Sequence, residues 1–136
     1  MSLMTWTEKM SVGVAVFDDD HKKLVAMVNE LYDGIKAGQG KEALGRILDK
    51  LIEYTQVHFR REEQVFARTG YAAAVAHKKE HDDLTRQVVE VQQKYKAGPG
   101  SMLSLEVMNF LKNWLVTHIQ GSDKQYGPHL NAKGVH

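Results

Sequence analysis

No cysteine occurs anywhere in the chain. That absence excludes disulfides, iron–sulfur clusters, thiolate ligands and cysteine nucleophiles together, leaving only nitrogen and oxygen donors for a metal. Proline is nearly as scarce: Pro99 and Pro128 are the only two, so long stretches lack the residue that removes a backbone N–H and breaks a helix. No run stays apolar for the ~18 residues of a membrane span. The opening MSLMTWTEKMSVGVAVFDDD also lacks the basic start and apolar stretch of a secretory leader. Both absences lead to the expectation of a cytoplasmic protein with no membrane insertion. An excess of one charge is missing too. Lys and Arg total 18 against 17 Asp and Glu, a net charge of +1, which gives no electrostatic footprint for nucleic acid or anionic lipid.

What is present is an ordinary globular composition, 43 % hydrophobic and 26 % charged. The 136 residues suffice for one domain, 1–136, with its own core. Apolar residues recur at steps of three and four. Leu24, Val28, Leu31 and Ile35 mark a helix over about 19–37, with Asp18 to Asp20 as N-cap carboxylates and a stop at Ala37-Gly38-Gln39-Gly40. Leu44, Leu48, Leu51, Tyr54/Thr55 and Val65 predict a second helix over about 41–67, ending near Thr69-Gly70. Leu84, Val88, Val91 and Tyr95 predict a third over about 72–96, broken by Ala97-Gly98-Pro99-Gly100. Met108, Leu111, Leu115 and Ile119 predict a fourth over about 102–120, with Gly121 placed to end it. Short connections force sequential helices to lie side by side. The expected fold is therefore all-α, an up-down-up-down antiparallel four-helix bundle with an N-terminal arm (1–18) and a less regular C-terminal tail (121–136).

Histidine interrupts every one of these apolar stripes. Stepping back from Leu24 reaches His21, and stepping forward from Leu51 through Thr55 reaches His58 and Glu62. The third stripe runs back from Leu84 to His81 and His77, and the fourth runs forward from Leu115 to His118. One core histidine is usually just a hydrogen-bonded packing residue. Five imidazoles and a carboxylate on four facing helices would carry a desolvation cost of several kcal/mol, which a metal cation offsets directly. HxxxE at His58/Glu62 and HxxxH at His77/His81 place each pair one turn apart on one face. HxxxxD at His118/Asp123 exceeds one turn, and the expectation is that Gly121 unwinds the helix end so that Asp123 folds back toward the site. His129 and His136 read as tail residues, and the Lys22-Lys23, Arg60-Arg61 and Lys78-Lys79 pairs as solvated helix surface.

DxxH at 18–21, HFRREE at 58–63, HxxxH at 77–81 and WLxxHIxxxD at 114–123 resemble the hemerythrin pattern from about Trp6 to about Leu130. Myohemerythrin is itself a standard example of the up-down-up-down bundle, so the resemblance and the stripes speak to one topology. The resemblance implies a non-haem di-iron centre (Fe2+/Fe3+) with an oxo or hydroxo bridge. It implies that His77, His81 and His118 bind one iron, that His21 and His58 bind the other, and that Glu62 and Asp123 bridge both. Across two six-coordinate irons that donor set leaves one position open, on the iron with two histidines. O2 is the ligand so implied, with Leu115 and Trp114 as candidate lining of its pocket.

Five neutral imidazoles with two carboxylates leave the reduced core close to neutral, compatible with an apolar interior. Carboxylate-rich di-iron enzymes hold more negative charge and favour high-valent iron. The expected function is therefore reversible O2 binding for carriage, storage or delivery, without catalysis. Delivery would be to an O2-consuming enzyme, and the competing readings are O2 or redox sensing through a separate signalling partner and a di-iron redox enzyme, a peroxidase, an oxidase or a handler of NO. A dizinc or dimanganese hydrolase would use similar donors. No Gly-rich nucleotide loop or nucleophile–base signature supports a substrate site elsewhere.

Overall fold

The computed structural model describes residues 4–97 and 103–136, apart from the side chains of Leu103 and Ser104. The expected Gly98-Pro99-Gly100 break and the expected start of the fourth helix at 102 lie outside the described residues. Four long helices form the body: α1 (Ala15–Lys36), α2 (Gly40–Thr69), α3 (Ala74–Lys96) and α4 (Leu103–Thr117). α1 packs against α2 and α4, and α2 packs against α3. Val88 and Val91 of α3 meet Val107 and Leu111 of α4 around a narrow apolar cavity, which closes the ring of four. No helix among the described residues is long and apolar enough to cross a membrane.

The stripes read from sequence are the buried faces. Leu24, Val28 and Leu31 of α1, Leu44, Leu48 and Leu51 of α2, Leu84 and Val88 of α3, and Leu111 and Leu115 of α4 are all in the core. Each such side chain contributes roughly 1.5–3 kcal/mol when fully buried, so this half of the bundle can carry the polar half beside it. α2 ends where predicted, with Gly70 in the left-handed conformation at φ 69°.

Two boundaries depart from the sequence reading. α1 begins at Ala15, four residues early, behind Val14 with no side-chain cap. The aspartates are therefore inside the helix, where they have other partners. Asp18 accepts hydrogen bonds from the Ser11 hydroxyl (2.6 Å) and the Val12 N–H (2.8 Å), tying the arm to the helix's first turn. Asn29 pairs with both the N–H and the C=O of Met4, at 2.8 Å each, and Met10, Val12 and Val14 are buried, so the arm is part of the fold.

The second departure is at the other end. Helix four does not stop at Gly121. After Thr117 the backbone widens into a π-helical turn (His118–Asp123) and continues as α5 (Lys124–Ala132). Gly121 is not among the glycines with positive φ, so it never adopts the left-handed stop that a terminating glycine supplies. Pro128 sits within α5, where it forgoes the bond to the Lys124 carbonyl on the exposed side. Gly127 is required: a Cβ there would overlap the Val12 carbonyl of the arm. Asn131 then donates to the Gly13 carbonyl at 2.9 Å. The expected irregular tail is thus a helix clasped to the N-terminal arm.

Candidate metal centre

Alternating helix direction gathers the polar residues at one end of the bundle. His21 lies near the start of α1 and His77 and His81 near the start of α3, whereas His58 and Glu62 lie late in α2 and His118 follows α4. An antiparallel arrangement brings starts of odd helices level with ends of even ones. All seven side chains named from the sequence are buried, none more than 4 % exposed.

Asp123 reaches the cluster differently from expectation. A π turn spans five residues per hydrogen bond, so the five-residue spacing from His118 to Asp123 keeps both on one side without unwinding the helix. Asp123 Oδ1 lies 2.9 Å from His118 Nε2 and 2.8 Å from His77 Nε2, and Oδ2 lies 3.0 Å from His21 Nε2. Glu62 Oε1 lies 3.0 Å from His81 Nε2 and 3.4 Å from His77 Nε2. Its Oε2 lies 3.4 Å from His58 Nε2 and 3.8 Å from His21 Nε2. Two overlapping groups result. Glu62, His77, His81, His118 and Asp123 each offer a donor atom within 4.8 Å of the others, and His21, His58 and Glu62 do the same.

These close approaches are not hydrogen bonds. Nε2 of His21, His77, His81 and His118, Glu62 Oε1 and both Asp123 oxygens are buried with no hydrogen-bond partner. Each such atom costs about 1–3 kcal/mol if left unpaired, so seven pointing at one small volume call for a common partner. Nitrogen and carboxylate oxygen at this density fit a divalent transition metal.

The outward ring nitrogens of His58 and His81 are held by a second layer that the sequence reading missed, whereas those of His21 and His118 are buried without a hydrogen-bond partner. Asp20 accepts from His58 Nδ1 at 2.8 Å and from the Arg61 guanidinium at 2.7 Å. Arg61, expected to be purely solvated surface, thus folds back to a buried carboxylate; burial pushes the Asp20 acid up, but His58 and Arg61 outweigh it and hold it lowered. Glu63 accepts from His81 Nδ1 at 3.1 Å. Both contacts leave Nε2 free to bind metal. Phe59 stacks on His81 with centroids 3.8 Å apart, and Trp114 stacks on His118 at 4.3 Å. Tyr126 of α5 donates its hydroxyl to Glu62 Oε2 at 2.5 Å. Glu63 lies beside Glu62 in HFRREE and Asp20 beside His21, so adjacency was an available signal for both. Tyr126 had none, because it stands in a segment read as tail.

Leu115 and Trp114, the candidate pocket residues, line an apolar cavity with Leu24, Leu51, Leu84 and Leu111. Leu24, Thr55, Leu84 and Leu115 each stand three residues from His21, His58, His81 and His118, so this cavity lies one turn inward of the cluster. His129 packs outside it, its ring against Tyr71 and its Nε2 3.1 Å from the Thr69 carbonyl, and His136 is exposed. Lys78 pairs with Asp82 on the surface.

A four-helix bundle that turns a shared cage of imidazoles and carboxylates inward defines a non-haem metal-binding protein. The chain belongs to the hemerythrin family: residues 12–130 match the family described as hemerythrin HHE cation binding domain. It is 41 % identical to the bacteriohemerythrin of Methylococcus capsulatus, covering 97 % of this chain and 100 % of that one. The bacteriohemerythrin of Pseudomonas aeruginosa is 35 % identical, over 93 % of this chain and 80 % of its own. A crystal structure of wild-type hemerythrin superimposes with a TM-score of 0.85 at 40 % identity, over 95 % of this chain and 98 % of that one.

Proposed function

We propose that this protein binds O2 reversibly at a non-haem di-iron centre and serves to carry, store or deliver it. In this reading His77, His81 and His118 hold one iron, His21 and His58 hold the other, and Glu62 and Asp123 bridge them. One observation carries the reading: the donor atoms fall into two unequal groups, three imidazoles against two, that share Glu62. The smaller group has fewer side chains to fill a metal's positions, so a small ligand is admitted on one side only.

Two ferrous ions held by these residues would supply the two electrons that O2 takes up on binding and returns on release. The rest is done by side chains. Asp20 and Glu63 fix the tautomers of His58 and His81 so that Nε2 faces inward. Phe59 and Trp114 cover the rings of His81 and His118 and limit their rotation. Leu24, Leu84, Leu111 and Leu115 form a dry wall one turn away, which accepts an apolar diatomic and excludes water and protons.

The test is metal content with visible absorption through an anaerobic–aerobic–anaerobic cycle. Two irons per chain and a charge-transfer band that appears with O2 and fades on purging are expected. Immediate, irreversible oxidation would instead support a redox enzyme or a sensor acting through a partner, and zinc in place of iron would sink the reading.

A further inference from the structure

The segment read as tail contributes a contact to the centre that the ligand set does not include. Tyr126 is fully buried, and its hydroxyl is 2.5 Å from Glu62 Oε2. Its ring is wedged among Phe17, Phe66 and His77, with centroids 5.3–5.6 Å away. Behind it, Gly127 lies against the Val12 carbonyl and Asn131 is bonded to Gly13, so the phenol cannot swing away. The oxygen it addresses is specific. Glu62 Oε2 faces His58 and His21, whereas Oε1 faces His81 and His77. Among the described residues none hydrogen-bonds Asp123, whose two oxygens are buried without a partner.

We infer that Tyr126 is a positioning residue that polarises the shared carboxylate Glu62 toward the two-histidine side and so favours the ferrous over the ferric pair. A phenol O–H withdraws electron density from the carboxylate oxygen it bonds. That oxygen becomes a weaker donor to the metal beside His21 and His58, and the loss matters more to a trivalent ion than to a divalent one. The short contact also pins the carboxylate in one rotamer, keeping Oε1 and Oε2 assigned to opposite groups. Because Tyr126 hydrogen-bonds Glu62 and not Asp123, the two carboxylates are unequal, Glu62 being softened the more.

The inference rests on the di-iron reading above, and the experiment separates the two. Wild type, Tyr126→Phe and Tyr71→Phe are loaded with iron, their metal content is measured, and the reduction potential of the pair is determined by spectroelectrochemistry. Tyr71 belongs to the same aromatic cluster, its ring 6.4 Å from that of Tyr126, and feels the charge of Asp123, but it makes no hydrogen bond to Glu62, so it controls for loss of a nearby phenol hydroxyl without loss of that bond. Tyr126→Phe should retain two irons and favour the ferric state about tenfold more, a fall of ~59 mV for a one-electron couple, while Tyr71→Phe stays at the wild-type value. Site-specific 3-fluorotyrosine at position 126, a more acidic phenol of nearly the same shape, should shift the potential upward. An unchanged potential in iron-loaded Tyr126→Phe, or an equal shift in Tyr71→Phe, overturns the inference and leaves the di-iron reading standing. Fewer than two irons in the wild type overturns both.

Discussion

At the level of single residues, the clustered donor atoms are buried without hydrogen-bond partners, a cost that a bound cation would offset. With no metal bound, burial works against charge on His58 and His77, yet the carboxylates win: Glu62 and Asp20 push His58 up to about 9, and Asp123 and Glu62 push His77 up to about 9. A histidine whose folded pKa is raised stabilises the fold fully below its unfolded value of about 6.5 and loses that contribution as pH rises through the folded value. Metal-free protein should therefore melt several degrees lower at pH 9 than at pH 6.5, checked by calorimetry. Metal must also displace those protons, so calorimetric titration in buffers of different ionisation enthalpy should register proton release at pH 7 that shrinks above pH 9. Glu62→Ala or Asp123→Ala should reduce iron to one per chain or fewer; two tightly held irons in either variant would contradict the bridging assignment. Six of the seven clustered residues were legible in the sequence because a polar residue on an apolar stripe is conspicuous, and Asp123 through its spacing from His118, although the π turn that brings it in was not. Asp20 offered only its adjacency to His21, and Tyr126 offered nothing, since a residue that supports another obeys no helical period of its own.

Between residue and molecule lie the helices, whose interiors were easier to read than their ends. Stripes such as Leu44, Leu48 and Leu51 report burial directly. Ends depend on caps and on tertiary contacts, and here Val14 begins α1 without a cap while Asp18 serves the arm instead. Gly121 illustrates the difference best. A glycine after an apolar run normally signals a stop, but the five-residue π turn carries the chain through it, and nothing lies within 4 Å of where its Cβ would stand. Gly121→Ala should accordingly be tolerated and stabilise by about 0.5–1 kcal/mol through backbone entropy. If Gly121 terminated the helix, the same change would cost stability. Gly127→Ala has the opposite expectation, a loss of about 1–3 kcal/mol, because the added methyl strikes the Val12 backbone and the arm must shift. Chemical denaturation of the two variants side by side settles both.

The molecule as a whole is a bundle with two unlike ends. One end is closed by apolar packing around Leu31, Leu44, Ile47 and Leu48, all at most 1 % exposed, and the other by the polar cage with α5 and the arm wrapped over it. Removing metal should leave the first end intact and loosen the second. Amide exchange in metal-free protein is expected to accelerate across residues 118–132 and near His77, while residues 44–51 stay protected; uniform acceleration would mean that the core depends on the metal throughout. The π turn also has a bearing on how the molecule is made. Translation delivers His21, then His58 and Glu62, then His77 and His81, and only afterwards the turn that bears His118 and Asp123. A chain synthesised only as far as that turn holds all three residues of the smaller group, His21, His58 and Glu62, but lacks His118 and Asp123 of the larger one. On the proposed ligand set, the complete cage would therefore be the last thing the chain acquires, closed by one widened helical turn.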